Sequence, residues 1–471
     1  MIGDLKSYPS YKDLGLPWLG EIPEGWEVRR NGRLFAQRNE TGRAELPILE
    51  VSLRTGIRVR DFGNGERKQV MADPQKYKRA AQGDIAYNMM RMWQGALGVS
   101  PINGLVSPAY VVARPLPEVE ARYYAYLFRT DAYLNEVDKY SRGIVKDRNR
   151  LYWEDFKRIP SVYPPREEQV AIVRFLDHAD RHIRHVIRAK RKLIALLNEQ
   201  KQVIIHQAVT RGLDPKVRFK PSGVEWLGDV PEHWEVVALR LRYSQCLGKM
   251  LDSKRVLGVH SLRYLRNTDV QWDWINTSDL PVMDISPDEY ERYTVRDGDL
   301  LVCEGGEVGR CATWVSSFQT CGFQKALHRL RPHSANRDLP RFLYFTLRVA
   351  AKTGAFFDGH ESTIPHLTGE KLRSHRLPFP GIDEQTSIVA SLDQASVSID
   401  KAIDTASHEI HLLLELRTRL ISDVVTGKLD VHEAASQLPS ETGSAEAIDD
   451  AEALTEDEEA PEDAEPEEVE A

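Results

Sequence analysis

The sequence predicts a mixed α+β chain of two globular domains separated by two long antiparallel coiled-coil helices, related by an internal pseudo-two-fold repeat. Three observations predict it. A tandem duplication runs through the chain, each copy closes on a long helical segment with a 4-3 apolar spacing, and each copy begins with short β-like runs mixed with helical stretches.

The duplication is explicit. WLGEIPEGWEV at residues 18–28 returns as WLGDVPEHWEV at 226–236, identical at eight of eleven positions with an offset of 208. A second block recurs at an offset of 216, where Pro164, Glu168, Gln169, Ile172, Leu176, Asp177, Ile183, Leu197, Ile205, Thr210, Leu213 and Asp214 return as Pro380, Glu384, Gln385, Ile388, Leu392, Asp393, Ile399, Leu413, Ile421, Thr426, Leu429 and Asp430. The copies cover about residues 10–214 and 218–430.

The helical ends follow from spacing. Ile172, Leu176, Ala179, Ile183, Val186, Leu193, Leu197 and Ile204 form a coiled-coil seam interrupted by Lys190 and Gln200, with no Gly or Pro between Arg166 and Arg211. The second seam, Ile388, Leu392, Ala395, Ile399, Ala402, Ala406, Leu413, Leu416 and Leu420, is broken by Glu409. Gly212 and Gly427 stop the two helices. Each helix should be roughly 60 Å long. Neither buries its stripe alone, and an antiparallel pairing with the domains at opposite ends is the simplest closed arrangement.

The globular parts mix strand-like ILEVSL, DIAYNMM, AYVVARP and DLLVC with helical RYYAYLFRTDAYLNEV and LPRFLYFTLRVA. They share Ser52-Leu53-Arg54 against Ser261-Leu262-Arg263 and Gly83-Asp84-Ile85 against Gly298-Asp299-Leu300, and diverge between these points. The expected boundaries are a first domain at 1–163, a helical spacer at 164–214, a second domain at 215–379, a second spacer at 380–431 and an acidic disordered tail at 432–471.

Charge and composition narrow the function. The net charge of −8 hides a division, since residues 439–471 hold fifteen Asp/Glu and no Lys/Arg, leaving 63 basic against 56 acidic residues, a net +7, over residues 1–438. The body is mildly basic; the tail suits solubilisation or, more sharply, mimicry of DNA phosphates. Four cysteines without a CxxC pair, a polar start and no long uncharged apolar run suggest a reduced, cytoplasmic chain without a membrane span.

Catalytic motifs are missing. Gly354 and Gly359 have phosphate-loop spacing, but His360 and Glu361 follow where Lys and Ser/Thr are required. His408-Glu409 with His411 is one residue short of a zinc-protease helix; His178, His182 and His185 share a face among arginines, and Cys303, Cys311 and Cys321 are irregularly spaced. These read as a solvated face and core thiols, with no metal.

What remains is DNA-contact chemistry, with Arg and Lys for phosphates and Arg, Lys, Asn and Gln for base edges. Candidates in the first domain are Arg54, Arg58, Arg60, Asn88, Arg91, Gln94, Lys146, Arg148 and Arg150. In the second they are Arg263, Arg266, Asn267, Glu304, Arg310, Gln324, Lys325 and the loop from Gly359 to His366, GHESTIPH, with His360.

Over residues 10–430 this pattern resembles the specificity subunits of type I restriction-modification enzymes. The resemblance rests on the WLG-x-x-P-x-x-W-E-V entry of each copy, the Gly-Asp-[Ile/Leu] strand and the Pro-x(3)-Glu-Gln helix start. It implies two target-recognition domains, each reading one half-site of a bipartite, asymmetric double-stranded DNA target, with half-sites about one turn, ~34 Å, apart. It also implies helices that bind two methyltransferase subunits through Ile172, Leu176, Ile183, Leu197, Ile388, Leu392, Ile399 and Leu413, together with restriction/translocase subunits. S-adenosylmethionine, ATP and Mg would belong to those partners, this chain binding no cofactor and catalysing nothing itself. The acidic tail departs from the family plan. Two other readings stay open: a coiled-coil protein-binding scaffold, which predicts no salt-dependent DNA binding, and a nuclease or methyltransferase, against which the absence of NPPY-like and PD…ExK-like clusters argues.

Overall fold

The computed structural model describes residues 5–16, 18–53, 56–60, 73–143, 149–251, 258–315, 320–356 and 366–439. The chain forms two compact units, residues 1–190 with 408–471, and residues 191–407. Each unit takes the globular part of one repeat, the start of that repeat's own long helix and the end of the other one. The long helices, Arg166–Arg211 and Ile382–Val425, are each divided between the units.

The first unit is built on an antiparallel sheet in the order Phe35–Arg38, Tyr110–Pro115, Ile85–Asn88, Leu97–Val99. The second repeats it as Tyr243–Leu247, Leu327–Pro332, Leu300–Cys303, Cys311–Thr313. The apolar runs DIAYN and DLLVC are explained by burial on both faces. Ile85 and Tyr87 enter one core cluster while Ala86 enters another, and Leu300 and Val302 face one core while Leu301 and Cys303 face a second.

The repeated motifs are joints. In the entry motif, Trp26 and Trp234 are buried, and the strands after them, Glu27–Arg30 and Glu235–Ala238, pair antiparallel with Pro160–Tyr163 and Arg376–Phe379 at the far end of each globular part. The helix-start glutamines are fully buried. The Gln169 carboxamide accepts from the Glu120 N–H (2.8 Å) and donates to the carbonyls of Pro164 (2.8 Å) and Glu118 (3.4 Å). Gln385 accepts from the Leu339 N–H (2.8 Å) and donates to Pro380 (2.8 Å) and Arg337 (3.1 Å). Gln385→Leu strands one N–H and two carbonyls, so the unfolding midpoint of the second unit should fall by the equivalent of about 2–4 kcal/mol.

Within the first unit the helices run antiparallel, since Asp180 pairs with Arg417 and Lys190 with Glu409, so the numbers fall on one helix as they rise on the other. Lys190 and Glu409, the polar interruptions of the two seams, therefore meet each other, the kind of pairing that sets register in a helix pair. In the second unit Lys201 bonds Asp400 at 2.6 Å.

The end of the second helix is part of the first unit's core through Leu420, Val424 and Val425, and the end of the first helix enters the second unit's core through Ile205, Ala208 and Val209. Gly427 terminates its helix at φ +79, and a Cβ there would stand 2.5 Å from the Pro23 ring and 3.1 Å from Trp26. Gly427→Ala should lower the first unit's stability by about 1–3 kcal/mol, through left-handed strain and overpacking, and shift its melting temperature accordingly. Beside it the Asp430 N–H donates to the Lys6 carbonyl (2.7 Å). Lys6 and Asp430 both correspond to Asp214 under the two offsets, so a junction that is continuous chain in the second unit is a bridge between two segments in the first.

Among the described residues no helix is long and apolar enough to cross a membrane.

Candidate nucleic-acid interface

In the first unit three segments converge. The hairpin Leu49–Ser52 and Gly56–Val59 lies across the strand Leu97–Val99, where Gly98 permits contact that a Cβ would forbid, 2.7 Å from the Ile57 nitrogen. Arg58 faces Glu50 in the cross-strand register and pairs with it, while Arg60 Nε lies 4.0 Å from the same carboxylate, so one acid serves two cations. The second segment is the turn after Ile85–Asn88. Asn88 is buried; its side-chain oxygen accepts from the Met90 N–H (2.9 Å) and its carbonyl from the Arg91 N–H (3.2 Å). It shapes the turn that holds Arg91 half-buried and Gln94 exposed. The third segment is tied on by the Leu151 N–H donating to Met89 O (2.9 Å), and Arg150 is exposed there, bridged to Arg142. Arg54, Lys146, Arg148 and His360 lie outside the described residues.

The second unit uses the same joint. The Leu367 N–H donates to Glu304 O (2.7 Å), the counterpart of Leu151 and Met89. Around it, Asn267 donates to Gly305 O (3.1 Å), Arg310 Nη2 donates to Asn267 O (2.9 Å), and the Gln324 N–H donates to Leu265 O (3.0 Å). The Asn267 side-chain oxygen and the Arg310 Nε are buried without a partner among the described residues. Arg266 is held by Asp269 (2.8 Å), whose hydrogen bond raises the guanidinium pKa. Arg263 and Lys325 are exposed. Arg263 also lines an open cavity of 680 Å³ with Tyr290 and Trp314.

Six of the second-domain candidates thus gather on neighbouring segments, and the last residue of the candidate loop 359–366 joins them. His366 is exposed beside Gly305, close enough that a Cβ on that glycine would stand 3.0 Å from its ring nitrogen. In the first unit the addition is Arg129, which donates to Leu97 O beneath the hairpin and whose pKa burial pushes down. Arg129 carries no sequence signal, because its neighbours come from distant segments.

His328 supports this joint. Its Nε2–H donates to Leu367 O (2.8 Å), its Nδ1 accepts from Gln245 (2.7 Å), and burial lowers its pKa. The folded pKa lies below the unfolded value, so the stability it contributes is present above about pH 6.5 and is lost as pH falls toward the folded pKa. His328→Gln should remove that part of the pH slope in urea titrations of the chain between about pH 6.5 and 5.

Cys303, Cys311 and Cys321 are buried core residues, and the Cys303 thiol also donates to the Asn267 carbonyl (3.7 Å). Burial pushes the thiol of Cys303 up to about 11 and that of Cys321 up to about 12, so both stay protonated. Among the described residues no group of His, Cys, Asp or Glu could hold a metal ion.

The helix residues divide by burial. Ile172, Leu176, Ile388 and Leu392 are at most 1% exposed and belong to the globular cores, and Ile183 and Ile399 are buried as well. Leu197 and Leu413 are half-buried. The apolar side chains open to solvent on these helices include Leu193, Leu196, Val203, Val397, Leu412 and Leu416.

A family model described as the type I restriction modification DNA specificity domain matches residues 265–406. The putative type I restriction enzyme MjaX specificity subunit of Methanocaldococcus jannaschii is 24% identical over 434 residues, spanning 88% of this chain and 96% of the relative. The EcoKI specificity subunit of Escherichia coli is 21% identical over 427 residues, 84% of this chain and 88% of the relative. A chain from a structural study of complex assembly and conformational transition of the type I R-M system shares the fold with a TM-score of 0.68 at 16% identity, covering 87% of this chain and 99% of the other. The HsdS subunit from Thermoanaerobacter tengcongensis does so at 0.55 and 17%, covering 87% and 98%. With the duplicated entry strands, buried helix-start glutamines and paired long helices, the chain is similar over most of its length to type I restriction-modification specificity subunits and shares their fold.

Proposed function

We propose that this chain reads a bipartite, asymmetric double-stranded DNA target and directs the catalytic subunits of a type I restriction-modification complex to it. As a specificity subunit it recognises DNA and does not catalyse. One observation carries the reading: both units hang different sets of Arg, Lys, Asn and Gln on the same joint, the turn bonded by Leu151 in one and by Leu367 in the other. A shared frame with divergent polar tips suits two readers of different base sequences.

The domains at 1–163 and 215–379 are the proposed readers. The proposed contacts are the exposed Gln94, Arg150, Arg263, Lys325 and His366, with the half-buried Arg58, Arg60, Arg91, Arg266, Asn267, Arg310 and Gln324 beside them, and Asn88 as a positioning residue. Two methyltransferase subunits would meet the exposed leucines of the long helices, since the buried seam and core positions are out of reach. S-adenosylmethionine, ATP and Mg act on those partners and on a restriction/translocase subunit, and the assembly works in the cytoplasm.

Co-expression with a methyltransferase subunit and mapping of methylated adenines by single-molecule sequencing should return two short half-sites around a fixed spacer. A contiguous motif, or none despite a stable complex, would replace this reading with a protein-binding scaffold. Binding of the purified complex should also weaken by about 10³-fold or more between 50 and 200 mM salt if some six phosphates are contacted.

A further inference from the structure

Each unit carries a ledge of cations that the reading of base edges does not use. In the first unit the Asn31 and Gly32 N–H groups donate to the carbonyls of Ile159 and Lys157 (2.9 Å each), and Arg30 pairs with Pro160 across the strands. These bonds set Arg30, Arg33 and Arg158 on adjoining segments. All three are exposed, and among the described residues their side chains have no hydrogen bond or ion pair. The acids nearby are engaged: Glu27 by Arg29 (2.8 Å), Glu154 by Lys157 (2.5 Å), and Asp155 is buried against Arg142 (2.5 Å).

The second unit builds the same ledge. The Leu239 N–H donates to His375 O (2.9 Å), the counterpart of Asn31 and Ile159. Beside that bond Arg240 and Arg373 are exposed, again without a side-chain partner among the described residues. Glu235 is held by Arg242 and Arg337 (3.0 Å each), and the exposed Glu370, one turn before Arg373, is balanced in charge by the exposed Arg376.

The two ledges keep the charge but not the residues. Under the repeat offsets of 208 and 216, Arg30, Arg33 and Arg158 correspond to Ala238, Leu241 and Ser374, and Arg240 corresponds to Gly32. The protein joints behave oppositely, since Trp26 and Gln169 return as Trp234 and Gln385. One kind of protein partner meeting both units would require like residues at like positions, whereas a phosphate backbone requires only positive charge within reach. All five free cations are arginines, whose planar fork bonds phosphate through two N–H groups.

Placement agrees with this. From the proposed contacts Arg150 and His366 the chain passes the joint at Leu151 or Leu367 and a short helix, Trp153–Phe156 or Gly369–Ser374, to reach Lys157 or Arg373. Three extended steps and four helical ones span at most about 16 Å, or about half a turn of duplex. In the first unit the ledge adjoins the edge strand Phe35–Arg38, three strand spacings or about 14 Å from the other edge strand, Leu97–Val99, that carries the hairpin. It is therefore separate from the base-reading set.

We propose that Arg30, Arg33 and Arg158 in the first unit, and Arg240 and Arg373 in the second, grip the phosphates beside the half-site that each unit reads, adding affinity without sequence preference. This rests on the DNA reading given above.

The test uses the complex with the methyltransferase subunit and a duplex carrying the motif that methylome mapping returns. Each phosphate contact contributes about 0.9 to the slope of log affinity against log salt. In Arg30→Gln/Arg33→Gln/Arg158→Gln the slope should be shallower by about two to three, and in Arg240→Gln/Arg373→Gln by about two, with the methylated motif unchanged and the methyltransferase subunit bound as before. Unchanged slopes overturn the proposal. So does an altered motif, which would make the ledge a reader of bases, or loss of the methyltransferase subunit, which would make it a protein-docking surface. Each ledge is altered separately, so a variant that does not fold leaves the other to decide. Absence of salt-dependent binding by the unaltered complex would instead refute the DNA reading itself, and the ledges with it.

Discussion

Replacement of Arg242 by leucine should destabilise the second unit by about 3–5 kcal/mol, because it leaves a buried carboxylate without its counter-charge. The Arg242 and Asp338 side chains are 4% and 2% exposed. Arg242 Nε lies 3.0 and 2.9 Å from the two oxygens of Asp338 and Nη2 lies 2.6 Å from one of them, a bidentate pair. Nη1 reaches Glu235 at 3.0 Å, and the guanidinium stands 4.7 Å from the Phe379 ring centre. The first unit solves the same place without charge. Leu34 stands at the position of Arg242, and Val119, judged by the glutamine bond to the residue after it, stands at that of Asp338; both are buried in the apolar core. The double variant Arg242→Leu/Asp338→Val should therefore recover most of the loss, as buried pairs commonly exchange for apolar residues at little net cost. Urea unfolding of the two variants beside the unaltered chain checks this, and a double variant as unstable as Arg242→Leu would show that the pair itself supplies net stability.

Exchange of residues 18–163 for the corresponding segment of another specificity subunit should change one half of the methylated motif completely and leave the other half and the spacer unaltered. The first unit keeps its polar candidates on its own hairpin, turn and loop, and its attachments to the long helices run through repeated elements, Trp26, Gln169 and the strand pair Glu27–Arg30 with Pro160–Tyr163. Those elements are the part the two copies share, so an exchanged segment can meet the same joints. Methylome mapping reads the result, and a motif altered in both halves would refute the modular reading.

Much of the architecture is legible in the residues alone. The duplication, the extent of the two long helices and the mixed character of the globular parts follow from repeated words, a 4-3 period and buried apolar runs, all local in sequence. So does the chemical choice of Arg, Lys, Asn and Gln as candidate contacts. The sequence cannot say which of those side chains is spent on the protein itself. Asn88 reads as a base-reading amide, but its oxygen caps a turn; Ile172 and Leu176 read as a partner surface, but they fill a core. Likewise Lys190 and Glu409 read as defects in two separate seams until the antiparallel register brings them together. Arg129 under the hairpin is invisible for the same reason. Periodicity and motif are properties of neighbours along the chain, so the sequence by itself determined the elements and the repeat. Burial and partnership are set by residues tens to hundreds of positions away, so only the tertiary structure decided which polar groups are left to act.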